Sequence, residues 1–570
     1  MAIKNKIHKH RLDLLYLTFL TLAAVLSSLY LQQTHSLYAW SDWSFHVSRV
    51  EEIYQNLKSG QLFTYIATRT FSKTGVGSFL FYPYFFFYPW ALLRFIASPV
   101  NAFYGWYLLM TLMTVYLSYF SMKRFSRECL PSLIFALLYT FTPYRIYLGT
   151  AVFGEFIAVT FLPLVFLGYY EVLFRNQKKW YYLAIGGALV AYAHLVSIML
   201  ILEFFLIIFL IKLFSDHGLE LSRFLRLLLS GLICLVLILP IIVPFITDFL
   251  GQDVSSAKPG ISYSISFFKL LFSSFGFGRG WKLSFYLLAF LALGWLWIKG
   301  TKDWIIYWLG IAAFTFATTI LPWNLLSKTI FGEVQLTARY LSYCALFASA
   351  LTAKYLALAI EKLPDKKQQA MIGFLPVIGL LTFGASMYLQ VDVMKAHQPL
   401  ASVQAGTQKL PQVAIKNADY HKLFNYRVVY GEYDYYPKQA HASSAKLQSI
   451  VKHYAYVNGQ KQITNPISGA NLLTYHLKLK KRSSVNLPAL AYHNTSVIVN
   501  GEKIHHQIST RGTVLCQLSA GKNIISVSYQ PASFYFWAIW LSLLAWLFLF
   551  FYIYYSPLLK KHLRVLFQCL

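Results

Sequence analysis

Carboxylates are scarce in this chain: 21 Asp and Glu stand against 50 Lys and Arg among 570 residues. Each one beside an apolar stretch is therefore a candidate for chemistry. The foremost lies in Ser41-Asp42-Trp43-Ser44-Phe45-His46-Val47-Ser48-Arg49-Val50. At about 100° per residue, Asp42, His46 and Arg49 fall on one narrow helical face. Trp43, Val47, Val50, Tyr54 and Leu57 form a neighbouring apolar stripe. Such a helix lies along a membrane surface and presents a carboxylate, an imidazole and a guanidinium together. The plain alternative is an Asp42 that N-caps a surface helix, with Glu51 and Glu52 as solvated polar positions.

Other ionisable groups recur at the same ends of apolar runs. Glu155 follows Pro143-Tyr144-Arg145-Ile146-Tyr147 and Gly154, immediately before an apolar run. It is either functional or a carboxylate favoured by a helix N-terminus. His194 and Glu203 flank a tight connection between two apolar runs, where they pair with each other or serve a function. Gln335 and Arg339 open a further run in Val334-Gln335-Leu336-Thr337-Ala338-Arg339-Tyr340. Arg339 either snorkels to the interface or binds a lipid-linked phosphate, for which a guanidinium fork is well shaped. Lys269 and Arg279 are further cations on that side. Together these groups fit a carboxylate base and phosphate-binding cations acting on a lipid-linked, phosphorylated donor.

The elements that must position them are membrane spans. With 57% hydrophobic and 12% charged residues, the chain reads as a polytopic α-helical membrane protein. Its formal charge of +29 clusters between hydrophobic runs, which points to the positive-inside rule and anionic lipid, not to nucleic acid. About twelve transmembrane helices are expected, near 14–31, 103–121, 129–147, 156–174, 181–197, 199–214, 225–247, 283–298, 304–321, 340–360, 370–389 and 534–556. Their alternation puts the basic loops and both termini in the cytoplasm. The outer loop 32–100 then holds the Asp42 helix, and 79–97, with two prolines and dense Tyr and Trp, reads as interfacial or re-entrant.

Three regions follow: a transmembrane domain over 1–389, an extracytoplasmic mostly-β domain over 390–533, and a last span with a basic tail over 534–570. Alternating runs at 472–479, 496–499, 514–518 and 524–529, with turn signals at Asn500-Gly501 and Ala520-Gly521-Lys522-Asn523, predict a small β-sandwich. The five cysteines show neither a disulfide framework nor zinc spacing.

The order of these motifs resembles the GT-C superfamily of polytopic glycosyltransferases. Within it, the chain is similar to the YfhO-like bacterial membrane proteins and their 6-pyruvoyl-tetrahydropterin synthase-related sister group. The resemblance rests on 42–49, on Leu80-Phe81-Tyr82-Pro83, on Pro143-Tyr144-Arg145 with Gly154-Glu155, and on Ala193-His194-Leu195-Val196-Ser197. Gln335 with Arg339, Gly431-Glu432-Tyr433 and the β-domain before the last span complete it. It implies an inverting transferase that moves a sugar from a polyprenyl-phosphate donor to an envelope acceptor (glycan, teichoic acid, lipid or protein) on the outer face. Asp42 would be the base, His46 would orient Asp42 or the acceptor, and Glu155 would support either. Arg339 and Arg145 would hold the donor phosphate, with Arg49, His194, Glu203, Gln335 and Glu432 as further substrate-binding positions. Relatives often carry Asp-X-Asp or Asp-Glu where Trp43 and Ser44 follow Asp42 here, so use of a divalent cation stays open. No zinc-binding histidine cluster supports pterin chemistry. The Tyr-rich β-domain is expected to cradle the acceptor. Two other readings remain: a flippase or transporter of lipid-linked saccharides, although no inverted repeat is visible, and a non-catalytic envelope assembly factor.

Overall fold

The computed structural model describes residues 2–39, 41–215, 218–250, 252–255, 260–276, 280–400, 412–425 and 433–568. A helix stands at each of the twelve expected span positions. Six are long and apolar enough to cross a bilayer alone: His10–Gln32, Pro99–Ser126, Phe153–Phe174, Leu195–Leu213, Thr337–Glu361 and Phe534–Tyr555. Two bent pairs bring the number to eight among the described residues: Cys129–Thr140 with Pro143–Ala151 at 47°, and Leu221–Leu237 with Leu239–Phe249 at 64°. Each bend falls just before a proline, Pro143 or Pro240, that opens the second piece. Proline removes a helical hydrogen bond and disfavours helical backbone in the residue before it. Tyr181–Ala191, Phe285–Leu293 and Thr301–Phe316 are shorter, and Asp365–Lys395 is a 31-residue helix.

Residues 78–93 break into Ser78–Phe81, Phe85–Phe87 and Tyr88–Leu93, none long enough to span a bilayer. Pro83 separates the first two pieces and Pro89 opens the third. This aromatic segment covers the Trp43–Lys58 helix. That helix was expected to lie along the membrane surface; instead Trp43 to Ile53 are all buried. Trp43 meets Phe103 and Phe153 edge-on at 6.2 and 6.3 Å, and Trp90 stacks on Trp106 at 5.0 Å. Aromatic pairs of this kind add ~1 kcal/mol each beyond their area burial. The helix is therefore fixed between the bundle and its aromatic cover, and the residue at its start inherits that rigidity.

Beyond the bundle lies a sandwich of two five-stranded antiparallel sheets. One runs Glu502–Ile504, Thr495–Val499, Gly521–Tyr529, Leu472–Leu479, Ile467–Gly469; the other runs Gln507–Ile508, Thr513–Leu518, Ser483–Leu490, Tyr454–Val457, Gln460–Ile463. Leu473, Tyr475, Leu477, Val485, Leu487, Val497 and Ile525 fill the space between them. The Asn500-Gly501 turn has both residues at positive φ, +50° and +95°, as a tight two-residue hairpin requires.

The sandwich is bolted to the bundle. Asn471 Oδ1 accepts from the Tyr65 amide at 2.7 Å, and its Nδ2 donates to Phe63 O at 2.8 Å. Buried Asp248 accepts from the Tyr529 hydroxyl and from Asn494 Nδ2. A short sheet of Leu37–Ala39, Val413–Ile415 and Gln398–Pro399 ties the start of the first loop to the chain after the Asp365–Lys395 helix.

Candidate active site

Asp42 occupies the N-cap position of the Trp43–Lys58 helix, but its side chain caps nothing. Ser41 precedes it with φ +53°, a left-handed conformation that is uncommon without glycine. The Asp42 carboxylate stays half-buried, and Ser41 Oγ at 3.2 Å is its one hydrogen-bond donor among the described residues. A capping role is therefore not what the geometry gives it. Surrounding protein raises its pKa by desolvation, opposed by the charge of Arg339 and by the Ser41 bond.

Arg339 reaches this region from the start of the Tyr340–Glu361 helix, 5% exposed. Its Nη1 donates to Val334 O at 2.9 Å, and its Nε stands 3.7 Å from Glu155 Oε2. Glu155 lies in the first turn of the Phe153–Phe174 helix and also accepts from Ser342 Oγ at 2.9 Å and the Tyr144 hydroxyl at 3.3 Å. Glu155 is thus the anchor of Arg339. Gly154, just before it, lets Tyr82 approach: a Cβ there would overlap the Tyr82 hydroxyl and come within 2.9 Å of the His194 ring. The half-buried Tyr82 phenol senses Asp42, Arg49, Arg339 and Glu155. Burial first, then the Asp42 charge, pushes its pKa upward, so it remains a neutral hydroxyl.

Asp434 and Tyr435, both half-buried, lie close enough for the Asp42 charge to act on them. Asp434 has no hydrogen-bond or ion-pair partner among the described residues, and burial followed by the Asp42 charge pushes its pKa up to about 6. Tyr435 sits at φ +72° and packs on Phe81 at 5.9 Å and Phe45 at 6.2 Å. The Tyr492 hydroxyl, from the sandwich, accepts from the Gly77 amide and donates to Tyr435 O, both at 2.8 Å. One phenol thereby fixes the loop that carries Tyr82 and the loop that carries Asp434. Sequence reasoning passed over Asp434; its signal was an acid embedded in Tyr433, Tyr435 and Tyr436 in a chain poor in acids.

The other expected residues fall into distinct places. His46 is buried among Phe45, Tyr82, Phe87 and Phe153, its rings 5.1 to 5.8 Å apart from theirs. Burial, then Arg49 and His194, drives its pKa well below the usual value, so it is neutral. Arg49 is fully buried; its Nη2 donates to Tyr82 O and Pro83 O, and five rings surround its guanidinium at 5.0 to 5.9 Å. Arg49 thus holds the backbone at Tyr82 and Pro83 through Nη2, while its Nε and Nη1 make no hydrogen bond among the described residues. Arg145 is engaged inside the bundle with Thr114 Oγ1 at 2.7 Å and Thr140 O at 3.2 Å, over the Phe156 ring at 4.5 Å.

His194 and Glu203 do not pair with each other. His194 Nδ1 meets Ser197 Oγ at 2.9 Å, while Glu203 accepts from the Tyr340 hydroxyl at 2.7 Å, next in sequence to Arg339. Gln335 acts through its backbone: with φ +57° and ψ −44°, its carbonyl accepts from the Ser262 amide at 2.9 Å. Glu432 and Arg279 lie outside the described residues. Glu51 and Glu52, read as solvated, are instead buried: Glu51 pairs with Arg94 at 2.9 Å, and Glu52 is sealed by the 68–70 backbone.

Among the described residues no group of three or more His, Cys, Asp and Glu is placed to hold a metal ion. Asp42 and Asp434 offer two carboxylates, a donor set that would take a magnesium ion only together with water and a substrate phosphate.

Fold and site together define a polytopic helical membrane protein with a docked β-sandwich and an Asp42 carboxylate that feels the Arg339 guanidinium. No protein-family model matches the chain, and no curated protein matches it. Among solved structures, it is similar to the crystal structure of ArnT from Cupriavidus metallidurans bound to undecaprenyl phosphate, at 14% identity and a TM-score of 0.41. The alignment covers 64% of each chain, so this chain spans less than two thirds of ArnT's length. At that level the likeness assigns no residue a role.

Proposed function

We propose that the chain is a membrane glycosyltransferase of the GT-C type, moving a sugar from a polyprenyl-phosphate donor to an envelope acceptor. The observation that carries the reading is the unspent Asp42 carboxylate, half-buried and within reach of the Arg339 charge. Asp42 takes the proton from an acceptor hydroxyl as its oxygen attacks the anomeric carbon. The bond from that carbon to the phosphate oxygen breaks, the electron pair leaves with polyprenyl phosphate, and the configuration inverts. Arg339, held by Glu155, receives the phosphate charge as it develops. Neutral Tyr82 donates to the donor or acceptor, and Asp434 accepts from a second acceptor hydroxyl. Beside this end of the bundle, a cavity of about 290 Å³ lined by Phe63, Phe85, Phe86, Tyr192 and Trp546 suits a short stretch of a prenyl chain. The basic loops at the opposite end support an outer-face position for this end by the positive-inside rule.

The test is a donor panel on the purified full chain: polyprenyl-phosphate sugars and nucleotide sugars, each with an envelope extract as acceptor. Free polyprenyl phosphate should appear from at least one lipid donor and depend on Asp42. Turnover of nucleotide sugars alone, or movement of labelled lipid-linked saccharide across liposomes with no transfer, would overturn the reading.

A further inference from the structure

A second cleft opens at the other end of the bundle and shares no residue with the Asp42 site. It lies at the Phe174 end of the Phe153–Phe174 helix, where the connections carry Arg124, Arg127, Arg175 and Lys178. From Glu155 to Tyr170 along that helix is about 22 Å at 1.5 Å per residue. The cleft has two parts. A polar cavity of about 540 Å³ is bordered by Ser126, Lys299, Lys302, Asp303, Lys354 and Glu361. It continues through shared walls at Phe125, Tyr170 and Lys302 into a narrower cavity of about 110 Å³, whose other walls include Phe135, Phe166, Ile306, Phe347 and Ala350.

The charges at the polar mouth are unequally committed. Asp303 is taken up by Lys354, whose Nζ donates to both carboxylate oxygens at 2.7 and 2.9 Å, and by the Tyr355 hydroxyl at 2.7 Å. Lys302 is exposed and makes one long bond, 3.4 Å, to Phe174 O. The Lys299 ammonium makes no hydrogen bond or ion pair among the described residues, and it too is exposed. Glu361 and Glu128 edge the same mouth. Two available ammonium groups beside an apolar slot match a molecule with an anionic head and a hydrocarbon tail.

We propose that this cleft binds a glycerophospholipid, its phosphate between Lys299 and Lys302 and a short stretch of one acyl chain in the Phe166–Phe347 slot, the rest of the tail lying in the bilayer. The slot opens among membrane-spanning helices, so the tail enters from the bilayer while the head stays at the level of the basic loops. This site is independent of the sugar-transfer reading, and its lipid is not the donor.

The test uses the purified full chain in detergent, stripped of lipid and titrated with dioleoylphosphatidylglycerol or dioleoylglycerol, with bound lipid counted by native mass spectrometry. One phosphatidylglycerol per chain should be retained, and dioleoylglycerol, lacking the phosphate, should bind about tenfold or more weakly. The exposed pair Lys299→Glu/Lys302→Glu should lose phosphatidylglycerol by about tenfold, while the equally exposed pair Lys366→Glu/Lys367→Glu should not. Ala350→Phe, which fills the slot, should release the lipid with the melting temperature unchanged. Equal binding of the two lipids, wild-type retention by the Lys299/Lys302 variant or by Ala350→Phe, or equal loss from both charge-reversed pairs would each overturn the site.

Discussion

Asp42 and Glu52 sit on the same short stretch of chain and meet opposite fates. Glu52 is fully buried and accepts from five donors: the amide and hydroxyl of Thr68, the Arg69 amide, and the amide and hydroxyl of Thr70. Arg69 Nη1 adds its charge at 3.7 Å. Asp42 stands half-buried with one neighbouring serine as donor among the described residues. A carboxylate with every lone pair occupied is a fastener, whereas one left open in a partly desolvated cleft retains basicity for a substrate proton. The arginines differ in their partners: Arg49 grips backbone among five rings, while Arg339 pairs with Glu155 and lends its charge to Asp42.

Substitutions can break that contrast. Asp42→Asn should lower transfer by about a thousandfold, the range of a lost general base, with an unchanged melting temperature. Glu52→Gln should do the reverse, costing about 2–3 kcal/mol of stability because a buried acceptor network loses its charge. The rate per folded molecule should stay near wild type; chemical denaturation and an activity assay on the same preparation separate the two quantities. Gly154→Ala should push Tyr82 off its seat and lower kcat/KM by about tenfold to a hundredfold, without affecting Glu52's end of the helix. If instead it lowers only stability, Tyr82 is packing rather than part of the site.

The smallest effect concerns pH. A base must be ionised, so the activity falls as pH drops through the pKa of the group. Asp42 is raised by burial, which places the acid limb above the ordinary carboxylate range near pH 4; Asp434 lies at about 6. The Asp42 charge is one cause of the rise at Asp434, so the two acids form an interacting pair. Asp434→Asn removes one negative charge from that pair and should move the limb to lower pH while leaving most of the rate at neutral pH. A limb that stays in place would show that Asp434 and Asp42 do not sense each other.

Legibility in the sequence followed the physics of each feature. Long apolar runs and basic loops announced the helical bundle, because hydrophobic length and charge placement are written locally. The bends at Pro143 and Pro240 divide two runs that hydropathy alone reads as continuous. The alternating strand Leu472–Leu479 and the Asn500-Gly501 turn were visible. Ser483–Leu490 was not, since Asn486 and Pro488 interrupt its pattern while neighbouring strands on both sides hold it in place. In the site, Asp42 and Arg339 stood out as isolated charges at the ends of apolar runs. Asp434 joins them only through tertiary structure, from a tyrosine-rich loop nearly four hundred residues away that Tyr492 fastens in place. The burial of the Trp43–Lys58 helix was hidden for the same reason: its cover is the Pro-broken aromatic segment 78–93, and an amphipathic stripe looks alike on a membrane and under a protein lid.

The most direct measurement follows donor binding and single-turnover sugar transfer on one preparation of the Asp42→Asn protein. Unchanged donor affinity with transfer abolished is the predicted result. Transfer at the wild-type rate would contradict the assignment of Asp42 as the base.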